Sequence, residues 1–190
     1  MGAKARLSLV AVMVVAAGLV GWRQSWRVWP PEPHVDQRLA AAALPVIDRH
    51  LQDGRAVVWR SSLPARLRPR WFCAEEPIEV QRQGSRIRVS LDAMCKDYAR
   101  EGGDLVTRAG VRTPLLVTLD HGGEVPAVRH VARPVDGAGF RPSLERMFSA
   151  RAIAEHDRRR RLGKGPDAPD AEAARAFGLP AGTRARPYDG

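Results

Sequence analysis

Cysteine is scarce in this chain of 190 residues: Cys73 and Cys95 are its whole complement. Neither lies near the end of the N-terminal apolar run, which excludes the acylated cysteine that a bacterial lipoprotein must carry. Short catalytic and ligand motifs are missing too. There is no glycine-rich nucleotide loop, zinc-ligand spacing, calcium loop, nucleophile elbow or haem attachment sequence. That excludes only chemistry dependent on such motifs, so no catalytic, cofactor-binding or metal residue is assigned. Lysine is nearly absent: Lys4, Lys96 and Lys164 are the only ones among 31 basic residues, in a chain of formal charge +10. The excess is arginine, scattered rather than arranged as a basic stripe interleaved with aromatics, and it predicts no specific nucleic-acid partner. Acidic counter-surfaces fit better, whether membrane lipid headgroups, an acidic wall polymer or an envelope protein.

What is present begins with Lys4 and Arg6, followed by an apolar run from Leu7 to Leu19 that only Ser8 and Gly18 interrupt. Basic residues ahead of an apolar run form the layout of an export signal. A small-x-small cleavage site at Ala16 and Gly18 would cut the run short. Read as an anchor, Ala5 to Trp22 is about 18 residues, near the low end of the roughly 17 to 25 needed to span hydrocarbon. Trp22, Trp26 and Trp29 are candidate interfacial anchors, because indole suits the headgroup region. The expectation is a signal anchor or signal peptide over residues 1–28. It places the protein in the cell membrane as a single-pass chain with an extracytoplasmic C-terminal domain, or else makes it secreted.

Residues 29–36, with Pro30, Pro31 and Pro33, read as a stiff spacer. A small α+β domain is expected over 37–154. Leu39, Ala42, Ala43, Val46, Ile47 and Leu51 recur at helical spacing, with Pro45 either dividing the helix or starting its second piece. Ala56 to Trp59 reads as a short strand. Gly84-Ser85 forms a two-residue hairpin turn that sets Val80 opposite Val89 and Ile78 opposite Leu91 on one face, with Glu79, Ser90, Gln81 and Arg88 on the other. Extended outward, that register brings Cys73 opposite Lys96, one position from Cys95. An exported chain with two cysteines has one available disulfide, Cys73–Cys95.

Asp92 to Tyr98 reads as a short helical turn, and Glu101 to Asp104 as a turn. Leu105 to Thr107, Thr113 to Asp120 and Glu124 to Ala132 read as strands. At the His121-Gly122-Gly123 turn a three-residue loop sets Leu119 opposite Val125, and a two-residue loop sets Val117 opposite Val128; the former is preferred for its glycine. Ser143 is expected to cap a short helix through Phe148. Residues 155–190 carry a charge block and little to bury, and are expected to form a basic, mostly disordered tail.

Among titratable groups, His50, His121, His130 and His156 have no sequence neighbour that marks them as catalytic. Glu75, Glu76, Asp92 and Asp97 are expected to gather near the cysteines as a solvated rim. The helix, the two hairpins and the paired cysteines resemble the layout of small uncharacterised exported and membrane proteins of high-GC actinobacteria. A helix followed by a bent antiparallel sheet also resembles cystatin-like and nuclear-transport-factor-2-like folds. That resemblance implies α+β architecture and transfers no catalytic residue. The leading function is a non-enzymatic, membrane-anchored envelope protein with a binding or assembly domain. The alternative is a small secreted hydrolase or isomerase, for which a deep pocket joining Asp92 or Glu76 to a histidine would speak.

Overall fold

A computed structural model describes residues 33–53, 60–122 and 125–190. The apolar N-terminal run, Trp22, Trp26 and Trp29, residues 29–32 of the proline spacer and the strand expected at Ala56 to Trp59 lie outside the described residues. Among the described residues no helix is long and apolar enough to cross a membrane.

Helix α1 spans Gln37–Gln52. Asp36 caps it, its carboxylate accepting from the backbone N–H of Arg38 at 3.0 Å and of Leu39 at 3.1 Å. Ala40, Ala43, Ile47 and Leu51 are buried, a spacing that lines one helical face. Pro45 sits inside a continuous helix and does not divide it.

Six strands follow: β1 (Arg70–Gln83), β2 (Arg86–Glu101), β3 (Asp104–Thr107), β4 (Gly110–Asp120), β5 (Ala127–Ala132) and β6 (Arg186–Pro187). Their order is β5-β4-β2-β3-β6, with β1 on the other edge of β2. All pairings are antiparallel except β3 with β6, so the curved sheet is mixed. The Gly84-Ser85 hairpin pairs Val80 with Val89, Gln81 with Arg88 and Glu79 with Ser90. A bulge between Pro77 and Glu79 shifts the pairing by one, setting Pro77 rather than Ile78 opposite Leu91. The same shift brings Cys73 directly opposite Cys95 instead of Lys96, and the two are disulfide-bonded with Cα atoms 4.1 Å apart.

Three helices complete the fold: α2 (Phe140–Met147), α3 (Ala150–Arg161) and α4 (Asp170–Ala176). Alternation along β2 divides the core. Ile87, Val89, Leu91, Ala93 and Cys95 meet α1, together with Leu115, Val117 and Leu119. Ile78, with partly buried Leu116, meets α2 and α3 through Leu144, Phe148, Ala152 and Ile153. The sheet is thus covered on both faces, not on one.

Four expectations are corrected. Asp92 to Tyr98 is strand, because β2 continues unbroken through Glu101 with buried residues on both faces. Strand β5 pairs Asp120 with Ala127, Leu119 with Val128 and Val117 with Val131, because six positions separate the two strands instead of two or three, and a bulge between Thr118 and Leu119 adds one further residue. Ser143 does not cap α2 but lies inside it, its hydroxyl donating to the Phe140 carbonyl and accepting from the Val135 N–H. The expected disordered tail is ordered. Ala173, Ala174, Phe177 and Leu179 pack on Phe72, Tyr98 and Leu105, while Tyr188 packs on Leu63, Ala99 and Val106. A few well-placed apolar contacts order a segment whose composition is mostly polar.

Candidate functional site

Asp92 lies on the β2 face that meets α3, with Glu76 of β1 and Pro114 of β4 as its cross-strand neighbours. Helix α3 is fastened to that face at three places. At its start Ser149 accepts from the Ala152 N–H at 3.1 Å and donates to the buried Glu79 carboxylate at 2.8 Å. Midway, His156 Nδ1 lies 2.9 Å from an Asp92 carboxylate oxygen. One turn on, Arg159 reaches Glu76 at 3.1 Å, Glu155 at 2.8 Å and the Pro77 carbonyl at 3.2 Å. Hydrogen bonds from Arg158 and then Arg159 pull the Glu155 carboxyl down to about 2, although its partial burial opposes them.

The Asp92–His156 pair is closed off from solvent, both residues being 3 % exposed. In the neutral tautomer that donates Nδ1–H to the carboxylate, the remaining ring nitrogen, Nε2, is the acceptor. Among the described residues Nε2 is buried with no hydrogen-bond partner. The pair forms one wall of a cleft of about 450 Å³. Arg112, Thr113 and Pro114 come from β4, Phe140 from the start of α2, Arg160 from α3, and Gly163 and Lys164 from the segment after it. His156 and Arg160 share the cleft because residues four apart lie on one helical face. Arg112 donates to the Lys164 carbonyl, which ties the two rims together. Gly165 has φ +148° and leaves no room for a Cβ against the Arg112 guanidinium, so glycine is required where the segment crosses it.

Three cations converge on this cleft. Arg129, Arg141, Arg158, Arg159 and Arg186 all have carboxylate partners. Among the described residues Arg112, Arg160 and Lys164 form no ion pair, and all three are exposed. Three uncompensated cations therefore surround one carboxylate already engaged by a histidine. No family model, curated protein or solved structure matches this chain. What the cleft can hold follows from its own chemistry: an anion at the rim and a hydrogen-bond donor at Nε2.

The other acidic residues do not form a solvated rim. Alternation sends them to separate places, and Asp97 is wholly buried. It accepts from the Ser61 hydroxyl at 2.7 Å and from the backbone N–H of Ser62, Arg108 and Ala109 at 3.0, 3.0 and 2.7 Å. Burial works to raise its pKa, but the Ala109, Arg108, Ser61 and Ser62 bonds together outweigh it and leave the carboxyl below its usual range. Asp97 is a structural staple at the β3–β4 joint.

Glu75 faces α1, where Asp48 and Glu172 converge on the Gln52 amide, each accepting at 2.7 Å. Burial, then the charges of Asp48 and Glu172, push the Glu75 carboxyl up to about 8. Among the described residues no group of histidine, cysteine, aspartate and glutamate could hold a metal ion.

The remaining histidines stand apart from this cleft. His130 is exposed on β5 and His50 is half-buried on α1, while the His121 backbone N–H is tied to the Ser85 carbonyl. Of the carboxylates singled out in the sequence, only Asp92 enters the cleft. His156 stands among the candidate histidines of the sequence, but its pairing with Asp92 is not legible there because residues 155–190 read as a tail. The signal lay in Ser149 followed by Ala152, Ile153 and His156, a capped helical stripe with the Glu155 to Arg159 pair beside it.

Proposed function

We propose that the chain is a non-enzymatic, membrane-anchored envelope protein whose extracytoplasmic domain binds an anionic group in the cleft between β4 and α3. The observation that carries this reading is the convergence of Arg112, Arg160 and Lys164, none of them in an ion pair among the described residues, on one cleft. The Cys73–Cys95 disulfide supports an oxidising compartment, and the basic and apolar start of the chain supports membrane attachment. Guanidinium groups favour oxyanions because their planar forks donate two parallel bonds.

A second reading, a small secreted hydrolase, is favoured by the Asp92–His156 pair itself, since a carboxylate-oriented imidazole is the common general base. Two features support binding over turnover. The cleft lining contains no serine or cysteine, and the Thr113 hydroxyl faces the Pro114 carbonyl at 3.4 Å.

Titration of the full chain in neutral detergent with phosphate, sulfate and succinate tests the proposal. Saturable binding of at least one anion, weakened about tenfold by Arg112→Ala, is expected. No saturable binding of any anion would reject it, and ester turnover abolished by His156→Gln would replace it with the hydrolase.

A further inference from the structure

We propose that the group this cleft recognises is a protonated phosphoryl group, as hydrogenphosphate or a phosphomonoester bearing one O–H. The inference rests on the anion-binding reading and narrows its ligand. Arg112, Arg160 and Lys164 offer donors only, so they demand acceptor oxygens. His156 demands the opposite. Asp92 accepts a hydrogen bond from Nδ1–H at 2.9 Å, and in that neutral tautomer Nε2, on a residue 97 % removed from solvent, is an acceptor with no partner among the described residues. A ligand that satisfies both walls must present several acceptor oxygens and one hydroxyl donor on the same small group. Carboxylates and sulfate are fully ionised near neutrality and supply no donor. A phosphoryl group, whose second ionisation lies near pH 6, supplies both. Counting imidazole as neutral, three cations against Asp92 leave a net charge of about +2, enough to retain a singly or doubly charged ligand. Phe140 and Pro114 provide an apolar wall for the carbon stem of an ester. A site that needs a ligand hydroxyl discriminates strongly against the analogue that lacks it, because its own buried group is then left unpaired.

The test is calorimetric titration of the full chain in neutral detergent micelles at about pH 7, where inorganic phosphate keeps at least one O–H and sulfate and succinate carry none. Phosphate is expected to bind at least about tenfold more tightly than sulfate or succinate. Arg160→Ala should weaken phosphate about tenfold, and Arg161→Ala, an equal change of charge one residue outside the cleft, should leave it unchanged. His156→Gln should abolish the preference over sulfate; if that variant does not fold, the phosphate-to-sulfate ratio of the parent protein decides alone. Glycerol 3-phosphate and a short-chain phosphatidic acid distinguish the sources. Tighter binding of the first indicates a soluble ester, tighter binding of the second a lipid headgroup, and either supports the shared chemistry. Equal affinity for phosphate and sulfate, or equal weakening by Arg161→Ala, overturns the phosphoryl assignment. Failure of every anion to bind overturns the anion reading itself.

Discussion

Glu75 and Glu76 are neighbours in β1, yet strand alternation sends them to different faces of the sheet. Glu76 finds Arg159, whereas Glu75 is buried beside Asp48 and Glu172. The consequence is a pH dependence whose sign can be worked out. In the unfolded chain Glu75 releases its proton near pH 4.5, but in the native state it holds the proton to about pH 8. Between those limits the native state binds more protons than the unfolded one, so Glu75's contribution is complete below the lower limit and is lost as pH rises through the upper. Glu75→Gln keeps the shape and removes the titration. Thermal unfolding of parent and variant at about pH 5 and about pH 8 should show the variant gaining, at the higher pH, on the order of 2 kcal/mol, or about 5 °C. A difference between the two proteins that does not change with pH would show that Glu75 ionises freely in the fold.

At the scale of elements, the β1–β2 hairpin was the part of the fold most legible in the sequence. Both strands alternate, and their alternation agrees about which side meets the core, so Val80 and Val89 had one consistent register. The bulge at Pro77 was not legible, because a proline signals irregularity without stating which residue is left over. The β4–β5 register was not legible either, because the glycines at 122 and 123 suggest a tight turn whereas six positions separate Asp120 from Ala127, and a further residue is taken up between Thr118 and Leu119. Helix α3 was missed because its outward faces are arginine, and only a narrow stripe through Ala152, Ile153 and His156 is buried. With it went the candidate site, since Asp92 has no visible role without a partner 64 residues away. The Cys73–Cys95 disulfide acts on the same β1–β2 hairpin. It joins strands already aligned by the hairpin, across 22 positions of sequence, and acts chiefly by restricting the unfolded chain. Replacing Cys73 and Cys95 together with alanine should lower stability by about 3 kcal/mol in urea denaturation while leaving the native far-ultraviolet circular dichroism intact. An unchanged denaturation midpoint would show that the hairpin register already supplies this restriction.

For the whole molecule, the C-terminal segment changes what the charge and the composition mean. Its arginines are not a free polyelectrolyte: Arg158 and Arg159 hold Glu155, Arg159 also holds Glu76, and Arg186 bridges Glu101 and Asp104. Arg160, Arg161, Arg175 and Arg184 form no ion pair among the described residues, so positive charge remains elsewhere on the surface, and what sets the cleft apart is that three cations converge on one concavity. The segment also closes the core. Phe72, Tyr98 and Leu105, each at most 1 % exposed, are covered by Ala173, Ala174, Phe177 and Leu179, and the Tyr98 hydroxyl donates to Asp170 at 2.6 Å. Ending the chain after Gly165 removes α4 and β6 but retains Arg112, Arg160, Lys164 and the Asp92–His156 pair. Uncovering three large side chains, at about 1.5 to 3 kcal/mol for each fully buried one, should cost several kcal/mol even if each stays partly covered. The truncated protein should therefore melt well below the parent and bind a hydrophobic dye before unfolding. A melting temperature and dye response equal to the parent's would show that the last 25 residues are an appendage, and that β1, β2 and β3 close their end of the core without them.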